Sequence, residues 1–587
     1  MKKNTLLMVL IIGMVIHTFS QTPHSDTLSI NNIKALVRAG GVQFLENDTN
    51  YTLSGSNPHP IYQYPNGSGK NTIFSSSLWI GGVDIDGNLK LAAESFNQNG
   101  TDFWTGPLTM DGLASTTSAN ATLWDKVWKI NRQDLVNYLN SAAYPSNPPS
   151  FVLNWPAHGD TIIGQSFQLA PFVDINNNGR YEPHLGDYPK IYGDQCIFFI
   201  INDQKAHHES HGLPLGLEIH VFAYAFNNPT DSVLYNAVFY KYKIINRSTY
   251  TLNNSYIGLF ADIDIGNATD DYVASDVGRS TFYGYNGMPL DSVYGLNPPV
   301  QGVTILGGPT MDPDLLDNPI LDISGNPTIT SVNGLNFGNG IVDDERFGMR
   351  SFLSYINDYN PVNGEPDNAM DYYRYLRGIW KDGRVMTYGG NGTNPVSASN
   401  PKCDFMFPGY TDPLFLGTGG ITVPGADWTD NNSWITSLDK RSLASMGPFT
   451  LIPESIHFVD VVYTTGSYYD TVNNPYASVE ILKQRIDHIR DLFKNSPEIF
   501  QAYVGVTEKN EIKFNIYPNP ASDYLVVEGI GLKKLSFVIY NIVGQAVITG
   551  NLDNNSSKIN IASLNAGIYF IKINTESRAK TIKFIKR

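Results

Sequence analysis

The chain has 587 residues, 42% hydrophobic and 12% aromatic, so it has the length for three or four domains and can bury sizeable cores. Only 16% of residues are charged, and the net −15 is uneven: +2 in residues 1–20, −22 in 21–510 and +5 in 511–587. An acidic body without a basic stripe argues against nucleic-acid binding and favours divalent cations as counter-ions.

The chain opens MKKNTLLMVLIIGMVIHTFSQ. Lys2 and Lys3 precede an apolar run, and Thr18 and Ser20 precede a cut expected at Gln21. This is the pattern of a secretory signal peptide over residues 1–20. No later stretch approaches 18 apolar residues, so no transmembrane segment is expected in the mature chain. Export permits a disulfide between Cys196 and Cys403, but two separate buried thiols fit equally well.

Residues 21–505 read as an acidic, β-rich body of two or more subdomains. In "SLWIGGVDIDGNLKLAAES" Asp86-Gly87 separates two strand-like runs, a hairpin signal. "NRQDLVNYLNSA" predicts a helix over 131–142 with Asn131 as N-cap. "QCIFFIIN" around Cys196 reads as a buried strand. "LEIHVFAYAFNN" and "NAVFYKYKIINRS" alternate with period two, predicting two half-buried strands paired around "NPTDS". Val479, Leu482, Ile486, Ile489 and Phe493 recur at helical spacing, which predicts a helix from Ala477 to Lys494 packed back on the sheets.

Two segments carry candidate metal ligands. In "DINNNGRYEPHLGDYP" Asp174, Asn176, Asn178 and Gly179 match positions 1, 3, 5 and 6 of a calcium loop, with the Tyr181 carbonyl at position 7. Position 12 is Leu185 where a Glu belongs, leaving Glu182 and Asp187 as substitutes. Pro183 and Pro189 prevent flanking helices, so this is a helix-free loop that binds calcium or a metal-free polar turn. In "DIDIGNATDDYVASD" Asp262, Asp264, Asp270 and Asp271 are dense enough to need a cation or open solvent. Asn339, Asp343, Asp344 and Glu345 fit no ligand template. "AHHESHG" lacks the zincin spacing and reads as a polar surface loop. The tryptophans Trp79, Trp124, Trp128 and Trp155 read as core in preference to a sugar-stacking platform.

Residues 506–513 read as a linker and 514–587 as a compact unit of alternating strands. "IYPNPASDYLVVEG", "LSFVIYNIVGQAVITG", "KINIASLNAGIYFIKIN" and "AKTIKFIKR" follow one another there. This unit resembles the type A C-terminal sorting domain of the type IX secretion system of Bacteroidota. The matching residues are Tyr517, Pro518, Asn519 and Pro520; Tyr540 and Asn541 with Gly544 and Gln545; Leu564 with Gly567, Ile568 and Tyr569; and Lys586 and Arg587. The resemblance implies an Ig-like β-sandwich that binds the secretion translocon. It also implies removal by a sortase-like peptidase, with release of the cargo or attachment to surface lipopolysaccharide or glycan. More loosely, "LWIGGVDIDG", "FADIDIGNATDDYVASD" and "DKRSLASMGPFTL" resemble uncharacterised secreted proteins of the same bacteria.

The expected fold is therefore mainly β, an antiparallel β-sandwich body with a few helices and a small C-terminal sandwich. The expected function is a calcium-stabilised structural or binding protein of the cell surface or medium, with no catalytic residue assigned. The alternative is a secreted hydrolase acting on polysaccharide or protein through carboxylates among Asp262, Asp264, Asp270 and Asp271.

Overall fold

The computed structural model describes residues 25–46, 59–97, 100–423, 427–433, 438–468, 476–503, 514–529, 535–542, 545–552, 556–574 and 579–587. The expected signal peptide and linker lie outside these. The described residues form two compact units, divided between Gly505 and Val506.

Fifteen strands build the main sheets of the body. In chain order they are β1 (Val42–Gln43), β2 (Ser75–Val83), β3 (Leu89–Ala92), β4 (Trp104–Thr105), β5 (Trp128–Asn131), β6 (Gln195–Asn202), β7 (Leu217–Ala225) and β8 (Ala237–Asn246). There follow β9 (Leu252–Asp262), β10 (Asp271–Asp276), β11 (Thr281–Asn286), β12 (Val300–Gly307), β13 (Ser351–Ile356), β14 (Lys440–Leu451) and β15 (Ile456–Gly466). One sheet has six strands, ordered β13-β14-β9-β2-β1 with β3 beside β2. The other has nine, ordered β5-β6-β7-β8-β15-β12-β11-β10 with β4 beside β6. Every pairing in both is antiparallel. The expected mainly β, antiparallel architecture is what forms.

The two sheets share one core. Leu78, Ile80, Ile257 and Leu259 of the smaller sheet pack with Ile197, Phe199, Ile219, Val221, Val459 and Tyr463 of the larger. Successive side chains of a strand point to opposite faces. Accordingly Cys196, Phe198, Ile200, Phe222 and Tyr224 leave that core and enter a second, on the outer face of the larger sheet.

Both expected hairpins form: β2 pairs with β3 across a turn with Gly87 at φ 85°, and β7 with β8. The expectation of half-buried strands fails for β7, because every one of its residues is buried. Its second face joins the outer core that holds helix α1 (Arg132–Leu139), with Tyr192 packed on Phe222 and Tyr224 and with Leu108 and Arg247 closing over Glu218. Glu218 and His220, which read as solvent-facing in sequence, are satisfied internally. Glu218 accepts from the Leu108 amide (2.8 Å), His220 Nε2 (2.8 Å) and Arg247 Nη2 (2.8 Å). Burial alone would raise its carboxyl, but the bonds and charges of His220 and Arg247 outweigh it and hold it down at about 2.

Helix α2 (Ala369–Leu376) lies on the smaller sheet, where its Leu376 meets Gly81 and Gly258. Helix α3 (Ala477–Asn495) agrees with its predicted span and buries Val479, Leu482, Ile486 and Ile489. Leu482 and Ile486 press on Gly302 of β12, closing the larger sheet. Cys196 and Cys403 are free, buried thiols in different cores, so the permitted disulfide does not form.

The second unit has seven strands. They are β16 (Phe514–Tyr517), β17 (Tyr524–Gly529), β18 (Leu535–Asn541), β19 (Ala546–Leu552), β20 (Ser556–Asn560), β21 (Gly567–Asn574) and β22 (Ala579–Lys586). They form a three-stranded sheet, β16-β17-β20, and a four-stranded sheet, β19-β18-β21-β22. Leu525, Val527, Ile559, Phe537, Ile539, Ile571 and Phe584 fill the core they share.

Candidate functional site

The loop at 174–187 is built by its own polar groups. Asp174 accepts from the amides of Asn178 (3.3 Å) and Gly179 (2.6 Å), and Asn176 Oδ1 from Asn178 (3.1 Å). Asn178 Oδ1 accepts from Arg180 (2.7 Å). Asn176 and Asn178 both donate their side-chain amides to Glu182 Oε2. Asp174, Asn176, Asn178 and Glu182 are thus gathered within one turn, with Gly179 at φ 77° permitting it.

Asp187 has a different part. It is fully buried, and its two oxygens accept from Ile175 (2.9 Å) and Glu182 (2.7 Å), clamping the two ends of the loop together. It builds the loop and faces inward. Tyr181 is anchored through its amide to His158 Nε2 (2.7 Å) and through its hydroxyl to the Val152 carbonyl (2.6 Å). His158 therefore holds its proton on Nδ1, which donates to the Phe167 carbonyl (2.8 Å).

The acidic stretch divides between the two sheets. Asp262 ends β9 in the smaller sheet, and Asp271 begins β10 in the larger. Of the four expected carboxylates, Asp262 and Asp264 converge with each other, while Asp270 and Asp271 have other partners. Asp271 Oδ2 accepts from the Ile265 amide (2.7 Å), and Asp270 lies against Asn286 and the charge of Asp291. Asp262 and Asp264 instead meet Asp439, and carboxylate oxygens of these three lie within 4.8 Å of one another.

Strand register explains the meeting. Ala261 pairs with Ser442, so Asp262 lies beside Arg441. Tyr355 of β13 pairs with Arg441 on the other side. Arg441 Nη1 donates to Asp262 Oδ1 (2.6 Å) and to Asp439 Oδ1, and its Nε lies 3.4 Å from Glu365. One buried guanidinium thus faces several carboxylates. Burial pushes Asp264 up to about 6, with the charge of Asp439 adding and Arg441 opposing. Burial likewise pushes Glu365 up to about 7 against the pull of Arg441, and Asp262 upward. Sequence reading found Asp262 and Asp264 but missed Asp439, Arg441 and Glu365. Asp439 and Arg441 open the quoted "DKRSLASMGPFTL", but no local spacing joins them to Asp262.

The remaining candidates serve the fold. Asp343 accepts the amides of Asp314 and Leu315 (2.8 Å each), Asp344 accepts from Asn336 and Asn339, and Glu345 accepts from Asn318. "AHHESHG" is not a surface loop throughout, since His207 and Glu209 are buried while His211 is exposed. Both ring nitrogens of His207 face backbone carbonyls, of Leu91 and Asp203 (2.6 Å each), so neither is open to a metal. Trp79, Trp124 and Trp155 are core, and Trp128 is partly buried against the outer core.

Glu94 emerges only in the fold. It is fully buried; Oε1 accepts from Thr101, Asp102 (2.6 Å) and Phe103 (2.9 Å), while Oε2 has no hydrogen-bond partner. Burial first, then the charge of Asp102, pushes it from 4.5 up to about 7. A raised carboxyl pKa means the fold binds the proton more tightly than the unfolded chain. That stability is full below pH 4.5 and is lost as pH rises through about 7, amounting to roughly 3 kcal/mol. Glu94→Gln is expected to reduce the pH dependence of the melting temperature between pH 4.5 and 7, with Asp264 and Glu365 leaving the remainder. A variant with the wild-type slope would assign the effect to another group.

In the second unit Asn519 Oδ1 accepts from the Ile585 amide (2.9 Å), and the Ala521 amide donates to the Ile585 carbonyl (2.8 Å). Tyr517, Pro518, Asn519 and Pro520 are exposed but tied to the last strand by these bonds. Asn541 Oδ1 accepts from the Gln545 amide (2.9 Å). Tyr569 stacks on Phe584 at 5.7 Å, and Gly567 pairs with Lys586 beside the terminal Arg587. Gly544 lies outside the described residues.

Residues 515–587 match the family described as secretion system C-terminal sorting domain. The chain is a type IX-secreted protein of the Bacteroidota, directed to the outer cell surface or the extracellular space, and this domain engages the type IX secretion machinery. No curated protein matches the chain. Among solved structures, a polysaccharide lyase is similar over 63% of this chain at 8% identity and a TM-score of 0.16. The chain spans 34% of that protein's length, and likeness at this level carries no argument. Among the described residues no helix is long and apolar enough to cross a membrane.

Proposed function

We propose that the exported body is a calcium-stabilised structural or binding protein of the cell surface or medium. In this reading a sortase-like peptidase removes the sorting domain, and the body is then released or joined to surface lipopolysaccharide or glycan. The observation that supports the reading is the gathering of Asp174, Asn176, Asn178 and Glu182 in one clamped turn. Oxygen donors at alternate positions followed by Gly suit a hard cation, and helix-free loops of this charge bind with a Kd of about 10⁻⁴ to 10⁻³ M. The hydrolase reading finds less support. Two of the converging carboxylates, Asp262 and Asp439, are tied to Arg441, whereas a glycosidase pair needs one carboxyl to act as acid and the other as base or nucleophile across a sugar ring.

Calcium at 10 mM is expected to raise the melting temperature of chelator-treated protein by roughly 1–3 °C. Identical melting curves in calcium and in EDTA would remove calcium from the account.

A further inference from the structure

We propose that Asp262, Asp264 and Asp439 form a second divalent-cation site, separate from the 174–187 loop, with Arg441 as its fixed counter-charge. The inference deepens the calcium reading but does not depend on the loop.

The geometry suits a hard cation. Calcium takes oxygen ligands at about 2.3–2.6 Å, so oxygens on opposite sides of one ion stand about 5 Å apart. The three carboxylates present oxygens within 4.8 Å of one another. They come from the end of β9, the crossover that follows it, and the residue before β14.

An orphaned atom supplies an independent reason. The Asp262 side chain is 1% exposed. Its Oδ1 is held by Arg441, and among the described residues its Oδ2 has no N–H donor, with the Asp264 carboxyl as its neighbour. A buried carboxylate oxygen without a donor is costly, and a cation in the cluster supplies the missing partner.

Charge balance points the same way. Asp262, Asp264, Asp439 and Glu365 all act on the single guanidinium of Arg441. One positive charge leaves the group strongly negative, and a divalent ion offsets most of the remainder. Arg441 Nη1 holds one oxygen each of Asp262 and Asp439, which fixes both carboxylates in place. The Asp439 side chain is 30% exposed, so the ion has a path from solvent. The rival occupant is a proton shared between Asp262 and Asp264.

The test is calcium titrated by calorimetry into chelator-treated full-length chain at pH 7.5. Asp174→Ala is expected to keep one binding event. Adding Asp439→Asn to that background is expected to weaken that event at least tenfold, and Asp264→Asn to do the same should the first variant not fold. If Asp174→Ala alone binds no calcium, the cluster holds a proton and the proposal is overturned while the loop reading stands. If its remaining event survives both Asn variants unchanged, the proposal is overturned as well. If Asp174→Ala leaves all binding intact and Asp439→Asn removes it, the cluster stands and the loop reading falls.

Discussion

Replacing Arg441 with methionine is expected to destabilise the body by roughly 3–5 kcal/mol. The guanidinium is 4% exposed and is held between Asp262 and Asp439, with Glu365 at 3.4 Å. Removing it leaves buried carboxylates facing one another without a counter-charge. That costs more than the ion pairs themselves contribute, because the carboxylates remain desolvated. Methionine keeps much of the side-chain volume, so little of the loss comes from a cavity. Chemical denaturation of the body reads the effect. Asp262→Asn in the same chain removes one of the stranded charges and is expected to recover part of the loss. An Arg441→Met protein within 1 kcal/mol of wild type would mean that the carboxylates do not need Arg441, and the electrostatic picture of this sheet end would be wrong.

Trp79→Ala is expected to cost about 3–5 kcal/mol. Trp79 is fully buried on the α2 face of the smaller sheet, stacks on Phe260 at 5.5 Å, meets Tyr372 of α2 edge-on at 4.8 Å and donates Nε1 to the Glu94 carbonyl at 2.6 Å. The cost combines lost transfer energy, the cavity left behind and a lost hydrogen bond. Trp79→Phe keeps most of the packing, and Ser77 Oγ still donates to the same carbonyl, so a smaller loss is expected. Equal stability of Trp79→Ala and wild type would contradict the packing of α2 on the smaller sheet at this residue.

What could be read from the sequence follows a physical rule. Turn chemistry and periodicity are local, so the Gly87 hairpin, the β7–β8 pairing and the span of α3 were visible in advance. Burial of the outer face of β7 was not. Glu218 and His220 alternate with apolar residues as on a solvated strand, and only Leu108 and Arg247, each distant in sequence, close over them. The acidic stretch shows the same limit. Asp262 and Asp264 are near neighbours in sequence and do converge, whereas Asp270 and Asp271 lie across the crossover and take Asn286 and the Ile265 amide as partners. Asp439 and Arg441 reach the site through the β9–β14 register, which no short window contains. The sorting unit was the most legible part, because its motif residues lie close together along a short chain of alternating strands.

The most direct measurement is the calcium dependence of melting in wild type and in Asp174→Ala compared side by side. The account predicts that 10 mM calcium stabilises wild type by roughly 1.4–2.7 kcal/mol over EDTA, and that Asp174→Ala loses a substantial part of that gain. Equal calcium-induced shifts in the two proteins would contradict the loop as a calcium staple.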